Sequence, residues 1–408
     1  MFTNDTIQSL YTTIKSHIVP TPCLYSPYLS SLVHGSVYLK LENTQRTGSF
    51  KERGVLSFFA NKEGHLSHVV TASAGNHAAA LALHAAIRQT KATIFMPEST
   101  SNNKVSATQK LKANVNLVGQ NYDEAYAKAQ EFAQSCGAQY VHAYDDLNVI
   151  MGQATIAQEI HQQVQPDIIV TPVGGGGLIA GISQWIMNEP AVKTKVIGVQ
   201  AFDFQTVAQA LNKGTVSING RTIAEGIAVK KMGDIPEAIC AITKPEMCSV
   251  KDLEIEHAIT MLMEKQKIIA EGAGATPVAA ILKDEYRHKL HGKTVVLVIS
   301  GGNIDISLLA RLSSHELVES CRLCRMSLVI KDTPGSLSRL LQTVTKAAGN
   351  IVDIHHERSF ASIRWNEVLV DLIIETKDEA HRDMMLATLS KEGYSIRMHM
   401  QERERVGP

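Results

Sequence analysis

The chain has 408 residues, 44% of them hydrophobic, enough for a sizeable core and, at about 150 residues per domain, for two or three domains. Forty Lys and Arg balance forty Asp and Glu, and aromatic residues make up 5%, which argues against a nucleic-acid or anionic-membrane surface. No uncharged apolar run of about 18 residues occurs, MFTNDTIQSLYTTIKSH lacks the apolar core of a signal peptide, and six scattered cysteines fit a reduced, cytoplasmic protein.

In chain order, an apolar strand-like run is followed by the polar stretch RTGSFKERG (46–54), in which Lys51 stands beside Phe50. VVTA (69–72) then leads into the helical pattern HAAALALHAAIRQ (77–89), and ATIFMP (92–97) into SNNKVSATQKLKA (101–113). DIIVTPV (167–173) leads into LIAGISQWIM (178–187); KVIGVQA (195–201) and, late in the chain, KTVVLVIS (293–300) read as further strands. Continuous apolar runs of this kind mark strands buried on both faces, and their alternation with helices predicts a doubly wound α/β architecture. After residue 311 the texture changes. From 325 the order is strand (RMSLVIK), helix (LSRLLQTVTKAA), strand (IVDIHHER), strand (NEVLVDLIIET), helix (HRDMMLATLSKE) and strand (YSIRMHM), a ferredoxin-like βαββαβ unit. Leu337, Leu340, Leu341, Val344 and Ala348 share one helical face. Cys321 and Cys324 have CxxC spacing, but no second pair faces them, so a structural or linker pair is favoured over zinc or redox chemistry.

Three loops carry the chemistry, each after an apolar strand, where open α/β sheets place their ligands. Taken alone, SAGNH (Ser73, Ala74, Gly75, Asn76, His77) is an ordinary strand-to-helix turn, although successive N–H groups at a helix start suit a carboxylate or phosphate. Gly174, Gly175, Gly176 and Gly177 form a run whose entropic cost makes sense where backbone must approach a phosphate. The same stretch contains GxGxxA, but the next strand ends at Gln200 where a dinucleotide fold wants an acid. SGGN (Ser300–Asn303) offers a hydroxyl followed by two glycines. One ligand with a phosphate, a flat polar ring and room for a substrate carboxylate accounts for all three, and pyridoxal phosphate fits better than a nucleotide. It also needs an amine. By itself Lys51 reads as a solvated helix lysine; desolvated beside Phe50, its pKa falls and it becomes a nucleophile and base.

YLKLENTQRTGSFKERG, TASAGNH, TPVGGGGL, AEGAGA (270–275) and ISGGN together resemble the threonine/serine dehydratase family of fold-type II, tryptophan synthase β-like pyridoxal-phosphate enzymes. The tail, with its DTPGSL turn, is similar to an ACT regulatory domain, as in the shorter threonine ammonia-lyases. The resemblance implies a two-lobed catalytic domain over 1–315, with a smaller lobe at about 52–150, a linker at 316–324 and an ACT-like domain over 325–402. It implies that Lys51 bonds the cofactor aldehyde and takes the substrate Cα proton, and that Phe50 packs by the ring. Asn76 then bonds the phenolic oxygen, Gly174 to Gly177 hold the phosphate, and Ser300 faces the pyridine nitrogen. Ser73, Ala74, Gly75, Asn76 and His77 receive the amino-acid carboxylate. The implied reaction converts L-threonine to 2-oxobutanoate and ammonia, with L-serine giving pyruvate. The alternatives are serine dehydratase or racemase as the main activity, or a non-catalytic amino-acid-binding regulator. Asp332, Gly335, Leu337, Asn350 and Ile351 are the expected effector positions, isoleucine or valine the expected effector, and a homotetramer or homodimer the expected assembly. Some relatives hold a divalent cation just after the strand matching KVIGVQ; here Gln200 replaces a carboxylate and Asp203 is the nearby acid, so no metal is expected there, although Glu225 offers a different arrangement.

Overall fold

Apolar runs become the inner strands of two sheets in the first of two units, Met1–Ile304, while Asp305–Pro408 forms the second. The structure, a computed structural model, describes residues 2–62, 64–212, 220–358 and 363–398. In chain order the strands of the first unit are Cys23–Tyr25 (β1), Ser36–Lys40 (β2), His68–Ala72 (β3), Lys91–Met96 (β4), Asn114–Leu117 (β5), Gln139–Tyr140 (β6), Ile168–Pro172 (β7), Lys195–Ala201 (β8), Glu246–Val250 (β9) and Thr294–Val298 (β10).

The larger sheet has the order β1-β2-β10-β7-β8-β9 and is parallel except for β1. β10 lies in its middle, with Val296 opposite Tyr38 of β2 and Ile169 of β7. The smaller sheet, β5-β4-β3-β6, is wholly parallel. Every residue of β7 is buried, as a strand covered on both faces requires.

Two glycines bring three helices together behind the site. A Cβ on Gly152 would strike the Arg53 carbonyl, so the Leu147–Gln163 and Lys51–Ala60 helices meet backbone to backbone. A Cβ on Gly181 would lie 2.7 Å from Ile150 O, which sets the Gly177–Met187 helix equally close. The helix that starts at Lys51 and the helix that starts at the glycine loop are thereby both braced on the Leu147–Gln163 helix.

The Lys51–Ala60 helix carries a buried ionic cluster, centred on Arg53. Arg53 donates to both oxygens of Glu42 and both of Glu159, each at 2.8 Å, and Lys40 Nζ donates to Glu159 at 2.6 Å. Burial alone would raise the Glu42 pKa, but the Arg53 charge and hydrogen bonds outweigh it and hold the carboxyl below its ordinary value.

In the second unit, Leu323–Lys331 (β11), Asn350–Glu357 (β12), Glu367–Glu375 (β13) and Ile396–Met398 (β14) form an antiparallel sheet of order β12-β13-β11-β14. With the Ser336–Lys346 and Glu379–Lys391 helices this is the expected βαββαβ arrangement. Buried and half-buried residues alternate along β13, whose Val368, Val370, Leu372 and Ile374 enter a core with Leu340, Val344, Met385 and Leu389.

The boundaries differ from those expected. The units divide after Ile304 rather than near 315, and the linker expected at 316–324 is the end of an Ile306–Glu319 helix followed by the start of β11. Asp305 starts that helix by accepting a hydrogen bond from Ser307 N at 2.8 Å, and the polar run RLSSHELVE extends it with Leu312 buried. The last expected strand, YSIRMHM, is a strand over Ile396–Met398; residues 399–402 lie outside the described residues.

Candidate active site

The ends of β3, β7 and β10 converge on Lys51. Phe50 N donates to Ser300 O at 3.0 Å, Ser49 bridges Gly301, and Gly302 N donates to Gly48 O at 2.9 Å, so the stretch before Lys51 is stitched to the loop after β10. The residue after Lys51 is anchored too: the fully buried Glu52 carboxylate accepts from Thr47 Oγ1 at 2.9 Å and lies 3.0 Å from His84 Nε2. Lys51 Nζ donates to Ala143 O at 2.9 Å and lies 5.0 Å from the centre of the Phe50 ring. Desolvation pulls its pKa down to about 8, against the opposing pull of the Glu271 charge. A partly neutral amine at physiological pH is the state a nucleophile or base requires.

Gly174–Gly177 follow β7 and start the Gly177–Met187 helix, with Gly176 at φ 92°. Their N–H groups donate to no acceptor among the described residues, which leaves successive donors at a helix N-terminus available to an anion. The glycines are also enforced from behind. A Cβ on Gly175 would enter the Tyr144 ring, one on Gly174 would lie 2.9 Å from Ile227 Cα, and one on Gly176 would lie 2.7 Å from Met232 Cε. Tyr144 follows the residue whose carbonyl holds Lys51, so the same contact sets the loop beside the amine.

In the loop after β3, Ser73 Oγ accepts from the N–H groups of Gly75 and Ala78, each at 3.3 Å, while those of Ala74, Asn76 and His77 donate to no acceptor among the described residues. The His77 ring turns into the protein, with Nε2 3.0 Å from Val141 O, and burial lowers its pKa to about 3. His77 therefore offers its backbone N–H rather than a charged ring. Ser300 is 2% exposed and its hydroxyl has no partner among the described residues. Asn76 Nδ2 donates to Glu271 Oε1 at 2.7 Å and its Oδ1 accepts from Asn303 Nδ2 at 2.7 Å. Glu271 is pushed up to about 7 by desolvation, which the Asn76 hydrogen bond opposes. The AEGAGA and SGGN motifs contain Glu271 and Asn303, whose contacts with Asn76 only the fold reveals; an acid directly before a Gly-Ala-Gly-Ala helix start is the one mark of them in the sequence.

The profile of the family described as pyridoxal-phosphate dependent enzyme matches residues 14–301. The chain belongs to this family. It is similar to an L-threonine ammonia-lyase of Thermotoga maritima, with 40% identity over 98% of this chain and 100% of that one. It is likewise similar to an L-threonine ammonia-lyase of Geobacter sulfurreducens, with 38% identity over 96% and 98% of the two chains. The structure resembles the processed form of threonine deaminase isoform 2 from Solanum lycopersicum, with TM-score 0.70 and 32% identity over 76% of this chain and 88% of that one.

The residues present fit the family's cofactor. The free N–H groups of the glycine loop suit a phosphate, the unpartnered Ser300 hydroxyl suits a ring nitrogen, and the Lys51 amine suits an aldehyde. Gln200 is differently occupied: buried, it donates to Phe204 O at 3.0 Å and Thr206 Oγ1 at 3.2 Å and accepts from Ala208 N at 3.1 Å. Among the described residues no group of three or more His, Cys, Asp or Glu side chains is placed to hold a metal ion. In the second unit Asp332 pairs with Arg358 at 2.9 Å, Asn350 donates to Glu375 at 2.7 Å, and Gly335 precedes the Ser336–Lys346 helix at φ 87°. Leu337 and Ile351 are partly buried against that unit's core.

Proposed function

We propose that this chain is a pyridoxal-phosphate-dependent threonine ammonia-lyase, converting L-threonine to 2-oxobutanoate and ammonia and acting on L-serine to give pyruvate. The end-to-end similarity to L-threonine ammonia-lyases, through both units rather than the catalytic unit alone, carries this reading. Bound pyridoxal phosphate supplies an electron sink for the charge left at the substrate Cα. The chain supplies binding, orientation and proton transfer. Gly174 to Gly177 hold the phosphate through backbone N–H groups, and Phe50 and Ser300 fix the ring. The N–H groups of Ala74, Asn76 and His77 take the substrate carboxylate, with Ser73 and Gly75 shaping the loop. Lys51 removes the Cα proton, for which its lowered pKa suits it. Loss of the β-hydroxyl as water leaves an enamine; its hydrolysis takes up one water and releases ammonia, so the overall conversion neither gains nor loses water.

The second unit is proposed as an ACT-type regulatory module, bringing together a homodimer or homotetramer in the cytoplasm and taking isoleucine or valine near Asp332, Gly335, Leu337, Asn350 and Ile351. Following 2-oxobutanoate from L-threonine and pyruvate and D-serine from L-serine, in wild type and Lys51→Ala, tests the activity. Threonine deamination lost in Lys51→Ala is expected. Wild type that makes D-serine or pyruvate but no 2-oxobutanoate would refute the assignment.

A further inference from the structure

Asn76 is held at both ends of its amide. Its Oδ1 accepts from Asn303 Nδ2, and that same nitrogen donates to Thr47 O at 2.7 Å. Two N–H groups facing two carbonyl oxygens leave Asn303 one orientation. At the other end Asn76 Nδ2 donates to Glu271 Oε1. Turning the Asn76 amide over would set its oxygen against a carboxylate oxygen and its nitrogen against another NH2 donor, so its orientation is fixed as well. Glu271 is seated in turn, its N–H donating to Gly301 O at 3.0 Å, with no room for a Cβ on Gly301 beside the carboxylate. The chain of bonds joins the stretch before Lys51, the loop after β10, the loop after β3 and the start of the Gly272–Leu282 helix. It leaves Asn76 a single unused N–H.

We propose that Glu271 is a positioning residue acting through Asn76: with Asn303 it aims that one N–H at the phenolic oxygen of bound pyridoxal phosphate and couples the charge on that oxygen to its own. The inference rests on the cofactor reading above. An amide nitrogen that already donates to a carboxylate is a weaker donor through its second N–H, and protonating the carboxylate restores it. Adding a proton to Glu271 therefore favours negative charge on the phenolic oxygen, and removing it disfavours that charge. The charged groups facing Glu271 are Lys51, Lys104 and Glu225; the last two pair with each other at 2.6 Å, which limits their net effect. Burial pushes the Glu271 carboxyl up to about 7, which puts the coupling in the neutral range.

The test is a pH titration of the visible absorbance of the full-length holoenzyme, together with pyridoxal phosphate titration of the cofactor-free protein. Wild type is expected to show a spectral transition within about one unit of pH 7, and Glu271→Gln, which keeps an acceptor but has no proton to lose in this range, is expected to lose it. Asn303→Ala, which frees the other end of Asn76, should keep the transition and bind the cofactor about 10-fold more weakly. A wild-type midpoint retained in Glu271→Gln, a wild-type band without a neutral transition, or unchanged affinity in Asn303→Ala would overturn the inference and leave the cofactor assignment standing. A wild-type protein that forms no visible band with pyridoxal phosphate would overturn both.

Discussion

Replacing Arg53 by Met should convert the buried Arg53–Glu42–Glu159 ion cluster into a pH-dependent liability. Arg53 and Glu42 are fully buried and Glu159 nearly so, and the guanidinium makes four 2.8 Å contacts with the two carboxylates. Removing one partner of a buried pair costs about 3–5 kcal/mol, because a charge is left without its counter-ion. Lys40 still serves Glu159 and Thr21 still serves Glu42, which places the expected loss toward the lower end of that range. In wild type the Glu42 pKa is depressed, so its contribution is complete above the unfolded carboxyl range and is lost only as pH falls through the folded value. In Arg53→Met burial acts unopposed by the guanidinium, and the folded pKa rises above the unfolded one. The folded state then binds more protons, and stability falls as pH rises. Taking the variant from pH 7.5 to pH 5 should recover about 2 kcal/mol, while the same change leaves this contribution intact in wild type. Urea unfolding of the cofactor-free protein, followed by tryptophan emission, reads the effect. Trp185 is 8% exposed in the catalytic core, whereas Trp365 in the second unit is 95% exposed and changes environment little. A loss below about 1 kcal/mol at pH 7.5, or a pH slope equal to that of wild type, would refute the reasoning.

Three other outcomes are expected. Gly175→Ala should abolish pyridoxal phosphate binding, measured by visible absorbance, because its methyl group needs the space of the Tyr144 ring. In cofactor-free protein the Lys51 amine, at about 8 rather than 10.5, should be about 300-fold richer in neutral amine at pH 7 than an ordinary lysine; its acylation rate, mapped by peptide mass spectrometry, should level off just above pH 8, and a rate still rising tenfold per unit at pH 9.5 would contradict the desolvation argument. Deleting residues 305–408 should remove any response of threonine saturation curves to isoleucine or valine, and a truncated enzyme that still responds would place the effector site in the catalytic unit.

Much of this architecture was legible because the inner strands of doubly covered sheets have little choice but to be apolar: VVTA, IIVTP and TVVLV all form strands. The edge strand β9 was not, since EMCSV mixes charge and hydroxyl with apolar residues. The glycine run marks a special backbone in the sequence, and the fold adds a second cause for it: Tyr144, Ile227 and Met232 wall it from behind, and none is near it in sequence. The partners of Lys51 and Asn76 were hidden for a similar reason. One is the carbonyl of Ala143, which leaves no mark on residue type, and the others are Glu271 and Asn303, separated from Asn76 by 195 and 227 positions.

The central place of β10 bears on how the protein is made. Its neighbours β2 and β7 are synthesised long before it, yet the sheet joins them only through it. The loop that follows supplies Ser300 and Gly301, the contacts that hold the stretch before Lys51 in place. On the ribosome, therefore, the amine is synthesised early but gains its surroundings only when the last strand of the catalytic unit emerges. Long-range pairing of this kind folds slowly and exposes unpaired strand edges meanwhile. Cofactor capture is then a late event, and in a nascent chain stalled before residue 294 Lys51 would be an ordinary solvated lysine, without the burial that lowers its pKa.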